Sequence, residues 1–163
     1  MPAPCIPPNI VAKQIIDSCE ASFPAHRGDC NQFVKAALGP FLVVDYFGAL
    51  NADGIVGKLK QASEGWTCSR KIADAIAMAK AGHVVIAGMT SIALGQHHGH
   101  VAVVVGCDGQ ASGEVTVPVG YAGSIENPAT QIDGARLSGT FAATMVRSEG
   151  LDYYFKPPDR VPV

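Results

Sequence analysis

The spacing of hydrophobic positions changes about halfway along the chain. In the first half, apolar residues recur at the three- and four-residue spacing of amphipathic helices, first over residues 9–20, with Asn9 in the N-cap position. A second helix is predicted after Asp29, which serves as its cap, and Gly39 ends it. A third is predicted over residues 69–80. The intervening stretch 45–65 favours short helices broken by glycines, namely Gly48, Gly54 and Gly57.

The second half instead contains short runs of β-branched residues. Residues 83–88 and 101–105 are apolar almost throughout, which is typical of strands buried on both faces. Further strands are predicted over three segments: 115–119, 121–125 and 151–155. Helices followed by strands predict an α+β fold, with N-terminal helices packed on an antiparallel β-sheet. At 163 residues the chain is long enough for one domain, which we expect to span residues 1–163.

Composition and charge exclude several classes of function. The chain is 48% hydrophobic and 16% charged, as in ordinary globular proteins, and its net charge of -2 gives no reason to expect nucleic acid or an anionic membrane as partner. No apolar run reaches the roughly 18 residues that a transmembrane helix needs. The N-terminus lacks a basic region followed by an apolar run, so we do not expect a secretory signal.

Cys30 stands at the predicted start of the second helix, directly after Asp29. The partial positive charge of a helix N-terminus, together with a nearby imidazolium, favours a reactive thiolate. The unpaired N–H groups of the first turn would also form an oxyanion hole beside the sulfur. A buried structural cysteine is the alternative that this position alone leaves open.

His100 stands at the head of the apolar run that continues to Val105. Strand alternation puts it on the same face as Ala102 and Val104, and we expect that face to pack against the Cys30 helix. Gly99 would leave room beside the ring for a substrate. A thiol nucleophile followed about seventy residues later by an imidazole base is the arrangement of papain-like cysteine hydrolases.

The sequence leaves a metal site and a disulfide open as further interpretations of the histidines and cysteines. His97, His98 and His100 lie close enough in sequence to suggest a zinc site, although such closely spaced histidines rarely converge on one ion. The four other cysteines form an even set that would allow a disulfide, with the pairing undetermined: Cys5, Cys19, Cys68 and Cys107.

Trp66 is expected in the core, with a place in a substrate cleft as the alternative. Acidic residues expected as solvated surface or caps are Asp45, Asp53 and Glu64.

Several segments resemble one known family, in the same order and at similar spacing. They are Gly28-Asp29-Cys30-Asn31-Gln32-Phe33-Val34, Val84-Val85-Ile86-Ala87-Gly88, Gly99-His100-Val101-Ala102-Val103-Val104, Gly123-Ser124-Ile125 and Leu151-Asp152-Tyr153-Tyr154-Phe155. They are similar to the NlpC-type branch of the papain-like fold and, more closely, to the amidase effectors of bacterial type VI secretion. The resemblance covers roughly residues 28–155, in segments separated by dissimilar loops.

The resemblance implies a peptidoglycan amidase that acts on the cell wall of a rival Gram-negative bacterium. Cys30 would be the nucleophile and His100 the base, and no cofactor would be needed. The γ-D-glutamyl–meso-diaminopimelate bond is the expected target, and the D-alanyl–diaminopimelate cross-link is the alternative. The implied partners are the stem peptide, the type VI secretion machinery and a cognate immunity protein. The enzyme would be made in the cytoplasm without a signal peptide and would act in the periplasm of the target cell.

The chain departs from the family pattern at two points. The group that orients the histidine from the next strand falls at Ala122, whose backbone carbonyl would have to serve; the alternatives are Tyr121, Ser124 and Asn127. Some relatives also join the N-terminal region to the C-terminus by a disulfide. Cys5 could supply one end of that bond, but no cysteine follows Cys107.

Two further hypotheses come from other functional classes. One is a housekeeping or phage-related cysteine hydrolase of the same superfamily, and the other is a non-catalytic module that binds metal through the three histidines. In every case we expect three loops to shape the cleft: 40–65, 90–98 and 126–148.

Overall fold

The computed structural model describes residues 5–125 and 127–163. The helices of these residues are α1 (Ile10–His26), α2 (Cys30–Leu38), α3 (Ala52–Lys60), α4 (Ile72–Lys80), α5 (Ser91–Leu94) and α6 (Ala143–Arg147). The strands are β1 (Thr67–Ser69), β2 (Val84–Met89), β3 (His100–Val104), β4 (Gln110–Ser112), β5 (Val115–Val117), β6 (Val119–Ala122), β7 (Ile132–Arg136) and β8 (Asp152–Lys156). Short 3-10 turns lie at Gly39–Phe41, Pro128–Thr130 and Leu137–Gly139.

Six strands form one antiparallel sheet in the order β1-β8-β2-β3-β6-β7, and β4 and β5 form a separate hairpin. The predicted combination of helices with an antiparallel sheet, an α+β fold, is therefore confirmed. No helix of the described residues is long and apolar enough to span a membrane.

Hydrophobic cores cover both faces of the sheet. On one face, α1, α2 and α3 pack against alternate residues of the central strands, including Ile86, Val101 and Val103. On the other face, α4 and α6 pack against the intervening residues, including Ala102 and Val104. Every residue of β2 is buried, which confirms the prediction that this strand is covered on both sides.

Helix α2 forms where the sequence predicts it because its signals are local. The Asp29 carboxylate accepts hydrogen bonds from the N–H groups of Asn31 and Gln32 at 3.0 and 3.1 Å, which satisfies two of the unpaired donors of the first turn. The residues of its predicted apolar face are buried: Phe33, Val34, Ala37 and Leu38. The N–H of Gly39 bonds to the carbonyl of Lys35 and closes the helix.

Other helical predictions were wrong at their boundaries. Helix α1 continues to His26, six residues beyond its predicted end. The third helix begins at Ile72 and not at residue 69, because Ser69 belongs to strand β1 and pairs with Tyr153 of β8. Gly54 lies inside α3 and does not break it, since the burial of Ile55, Val56 and Leu59 stabilises the helix.

The strand predictions failed where a proline interrupts the chain. Residues 115–119 were expected to continue the main sheet, but Pro118 separates β5 from β6. Proline has no N–H to donate to a ladder, so β5 pairs with β4 and β6 pairs with β3. Strand β7 lies within a segment predicted as loop, and it is held by its pairing with β6.

Candidate functional site

Cys30 and His100 line the same cavity, which has a volume of about 680 Å³. Cys30 is the first residue of α2 and His100 is the first residue of β3, so the cavity lies where a helix and a strand begin. The sequence prediction that the two residues belong to one site agrees with this placement.

The Cys30 sulfur lies against the backbone of β3. It accepts a hydrogen bond from the N–H of Val101. N–H groups two residues apart in a strand point to the same side. The N–H of Val105 bonds to the carbonyl of Val119 at the start of β6, so the N–H of Val101 also points to the β6 side of the strand. Since the register between β3 and β6 begins only at Val103, the N–H of Val101 is left to donate to the sulfur.

The segment after β6 fixes the start of α2. Gly123 packs so closely there that a β-carbon on it would lie 2.5 Å from the carbonyl oxygen of His26 and 2.7 Å from that of Asp29. The N–H of Ser124 also bonds to the carbonyl of Arg27 at 2.9 Å. A residue other than glycine at position 123 would therefore push the turn before Cys30 out of place.

Burial dominates the electrostatics of the Cys30 thiol. Only 7% of the residue is exposed, and this desolvation raises the pKa of the thiol above its ordinary value, with a further increase from the negative charge of Asp29. Hydrogen bonds from the N–H groups of Val101, Asn31 and Cys30 itself oppose the increase but do not cancel it. The expectation that the helix N-terminus yields a net lowering of the pKa was therefore wrong.

His100 lies on the sheet face opposite α2. Its neighbours in alternation, Ala102 and Val104, belong to the core beneath α4 and α6, so the expectation that this face packs on the Cys30 helix was wrong. The imidazole instead contacts the ring of Phe141 edge-on, with 4.8 Å between the ring centroids. The thiol and the imidazole reach one cavity because each stands at the end of its element.

The pKa of His100 is lowered from 6.5 to about 4 because the ring is desolvated. The thiol and the imidazole are therefore both uncharged in the resting protein at neutral pH. This differs from the thiolate–imidazolium pair expected from sequence.

The partner of the imidazole is Thr140. His100 Nε2 and Thr140 Oγ1 are 2.6 Å apart, whereas the sequence places the orienting group at Ala122. Ala122 is a buried residue of β6, paired with Ile132 of β7.

The three alternative groups have other partners. The Tyr121 hydroxyl donates to Glu20 at 2.9 Å, and the Ser124 hydroxyl accepts from Thr130 at 2.8 Å. The Asn127 side chain caps the N–H of Ala129. Because Thr140 lies in a segment predicted only as a loop, no local signal distinguishes it from other threonines of the chain.

The loop before His100 forms one wall of the cavity and is anchored to α3. The Asp53 carboxylate accepts from the N–H of Ser91 at 2.7 Å and from its hydroxyl at 2.5 Å. A β-carbon on Gly99 would collide with the same carboxylate, so the space beside Gly99 is filled by Asp53 and not left for substrate. Asp53 thus anchors a cavity wall, whereas the sequence predicts it only as a solvated surface residue or a cap.

The walls of the cavity are neutral as far as the described residues show. They carry no Asp, Glu, Lys or Arg; polar groups come from histidine, glutamine, asparagine, serine and threonine, and apolar groups from Leu94, Ile125, Phe141 and Met145. The expected loops 90–98 and 126–148 contribute to this lining, but loop 40–65 does not. Trp66 is buried in the core beside Tyr46, as expected, and lies outside the cavity.

Among the described residues, the three histidines do not form a metal site. His97 and His98 line the cavity at exposed positions. His100 lines it as well and is bonded to Thr140. Within residues 5–125 and 127–163, no group of three or more His, Cys, Asp or Glu side chains could hold a metal ion.

A disulfide joins Cys5 to Cys107, with 5.3 Å between their α-carbons. It ties the segment before α1 to the turn after β3, a pairing that the sequence left undetermined. Of the other cysteines, Cys19 and Cys30 are buried thiols and Cys68 is an exposed thiol on edge strand β1.

Comparison with known proteins gives no assignment. No protein-family model matches the chain, and the curated proteins include no significant match to it.

Proposed function

We propose that this protein is a papain-like cysteine hydrolase of the NlpC type that cleaves the stem peptides of bacterial peptidoglycan. The observation that carries the proposal is the cavity shared by Cys30 and His100, in which N–H groups face the sulfur. The substrate class comes from the resemblance of residues 28–155 to type VI secretion amidase effectors.

The reaction starts from the neutral pair. His100 takes the thiol proton as the Cys30 sulfur bonds to the scissile carbonyl carbon, so the thiolate forms only when a substrate is present. The negative charge that develops on the carbonyl oxygen is held by N–H groups near the sulfur, such as those of Cys30 and Val101. The C–N bond then breaks, and His100 gives its proton to the leaving amine.

Water completes the cycle. His100 takes a proton from water as the oxygen of that water bonds to the thioester carbon. The C–S bond then breaks, His100 returns the proton to the Cys30 sulfur, and a carboxylic acid product is released. A cavity of about 680 Å³ is large enough for several residues of a peptide.

The γ-D-glutamyl–meso-diaminopimelate bond is the proposed target. In the same proposal, the protein is delivered into the periplasm of a rival cell by a type VI apparatus, and a cognate immunity protein protects the producer. Directing the protein to the periplasm of a Gram-negative host should then cause lysis, whereas the same amount in the cytoplasm should not.

The direct test is digestion of purified Gram-negative peptidoglycan, with the products identified by mass spectrometry. We expect cleavage by the wild type and by Cys68→Ala, which removes an exposed thiol outside the cavity, and none by Cys30→Ala. The product masses distinguish the γ-D-glutamyl bond from the D-alanyl cross-link. An intact wall after treatment with wild-type protein that keeps the Cys5–Cys107 disulfide and a free Cys30 thiol, in the presence of a chelator, would reject the hydrolase.

A further inference from the structure

The hydroxyl of Thr140 occupies a fixed position beside the His100 ring. Thr140 is only 8% exposed, and its Oγ1 lies 2.6 Å from Nε2. The N–H groups of Thr140 and Phe141 both bond to the carbonyl of Leu137 at 3.0 Å. Leu137 is fully buried and donates its own N–H to Pro118 at 2.9 Å, so this turn is joined to the sheet at both its side chain and its backbone.

Adjacent residues of this turn contact the imidazole in different ways. Thr140 binds the Nε2 atom, and Phe141, 5% exposed, packs edge-on against the ring. The hydrogen bond sets the rotation of the ring, and the aromatic contact limits its displacement. With Nε2 engaged by Thr140, Nδ1 is the ring nitrogen that remains to accept a proton in the cavity that His100 shares with Cys30.

We propose that Thr140 is the positioning residue of the Cys30–His100 pair, its hydroxyl accepting the Nε2 proton so that the lone pair on Nδ1 faces the thiol. This inference rests on the proposed cysteine hydrolase. In the neutral imidazole one nitrogen donates and the other accepts, so a hydroxyl that accepts from Nε2 selects the tautomer in which Nδ1 is the base. The thiol proton then passes to Nδ1 and from there to the leaving amine.

A hydroxyl suits this task in a desolvated site. A carboxylate at the same position would stabilise the imidazolium and hold a charge pair in the resting protein. Thr140 orients the ring without adding a charge, and the described residues that line the cavity likewise include no charged side chain. The lowered pKa of His100, which has burial as its cause, agrees with a ring whose described hydrogen-bond partner is an uncharged hydroxyl.

The decisive experiment compares Thr140→Val, which keeps the shape of the side chain but removes the hydroxyl, with Thr140→Ser, which keeps the hydroxyl. The first readout is the nitrogen NMR spectrum of the His100 ring in the absence of substrate. We expect the Nε2-protonated tautomer in the wild type and in Thr140→Ser, and a mixture of tautomers in Thr140→Val. The same Nε2-protonated spectrum in all three proteins, or an Nδ1-protonated ring in the wild type, would overturn the inference.

The second readout is peptidoglycan cleavage. Thr140→Val should lower kcat roughly 10- to 100-fold with little change in KM, since the ring is misplaced while the cavity walls remain, and Thr140→Ser should recover most of the loss. Equal kcat values in the wild type and Thr140→Val would overturn the positioning role. The NMR measurement needs no substrate, and if Thr140→Val does not fold, an Nδ1-protonated ring in the wild type or in Thr140→Ser still overturns the inference. If Thr140→Val shows the tautomer shift but none of the proteins cleaves peptidoglycan, the hydrolase is rejected. The positioning of His100 by Thr140 is then still supported.

Discussion

Gly123 lies against the backbone of Asp29, the residue that caps the helix carrying Cys30. The close approach joins the end of strand β6 to the start of α2. The position of the Cys30 sulfur therefore depends on Gly123, which lies 93 positions further along the sequence.

Replacing Gly123 by alanine should disturb the site. The added β-carbon would meet two carbonyl oxygens at 2.5 and 2.7 Å, which is too close, so the turn before α2 must move. We expect a loss of roughly 1 to 3 kcal/mol in the free energy of unfolding, measured by denaturant titration, together with slower alkylation of Cys30. Gly28→Ala is the matched control, since a β-carbon there would meet nothing within 4 Å. Equal losses in the two variants would contradict the role given to Gly123.

Asp29 affects Cys30 in two ways: its side chain caps helix α2, and its negative charge raises the pKa of the thiol. Two substitutions separate these effects. Asp29→Asn keeps a good N-cap but removes the negative charge that raises the pKa of the thiol. The pH at which iodoacetamide alkylation of Cys30 is half-maximal should therefore fall, and the reaction at neutral pH should become faster. Asp29→Ala also removes the charge, but it loses the hydrogen bonds to Asn31 and Gln32 and should cost about 1 kcal/mol of stability.

These measurements are made in a Cys68→Ala background, so that the exposed thiol does not contribute. An unchanged midpoint in Asp29→Asn would show that the charge of Asp29 does not reach the sulfur.

Burial of His100 should make the protein less stable in mild acid. The pKa of the ring is about 4 when folded and has its ordinary value of 6.5 when unfolded, so between these values the unfolded chain binds the additional proton. The contribution of His100 to the free energy of unfolding is therefore complete above pH 6.5. It falls as the pH drops toward 4, by roughly 3 kcal/mol over the whole window.

Urea titrations at several pH values measure this slope. His100→Gln should flatten it, because the variant has no ring to titrate at this position. A wild-type slope that persists in His100→Gln would assign the effect to other groups.

Reduction of the Cys5–Cys107 disulfide should destabilise the protein. The bond spans 102 positions of sequence, and opening a loop of that size restores conformational freedom to the unfolded chain worth at most about 5 kcal/mol. The unfolding midpoint of the wild type should fall in dithiothreitol. The double variant Cys5→Ser/Cys107→Ser should have the lower midpoint with or without reductant, and a wild type that does not respond would contradict the stabilising role.

Sequence predicts the parts of the site that depend on local signals. Asp29, the apolar face of α2 and Gly39 specify a helix by themselves, and they place Cys30 at its first turn. The β-branched run after His100 likewise predicts β3. The resemblance to a family adds the pairing of the thiol with the imidazole, and the cavity agrees with that pairing.

The remainder depends on contacts between distant segments. Thr140 reaches His100 only because Leu137 is buried under the sheet and bonded to Pro118, and nothing in the residues around 140 encodes that contact. The face on which His100 lies depends on which helices cover each side of the sheet. Burial of the thiol, which reverses the expected direction of its pKa shift, is a property of the assembled fold as well.

The position of β8 bears on how the protein folds during synthesis. This strand, Asp152–Lys156, lies inside the sheet between β1 and β2, although it is the last strand of the described chain. Strand β2 can therefore pair with β8 only after residue 156 has left the ribosome. The cores in which Tyr153 and Tyr154 are buried can form completely only then. Nascent chains that stop short of this strand lack the link between β1 and β2, so the sheet that carries His100 is complete only once β8 has left the ribosome.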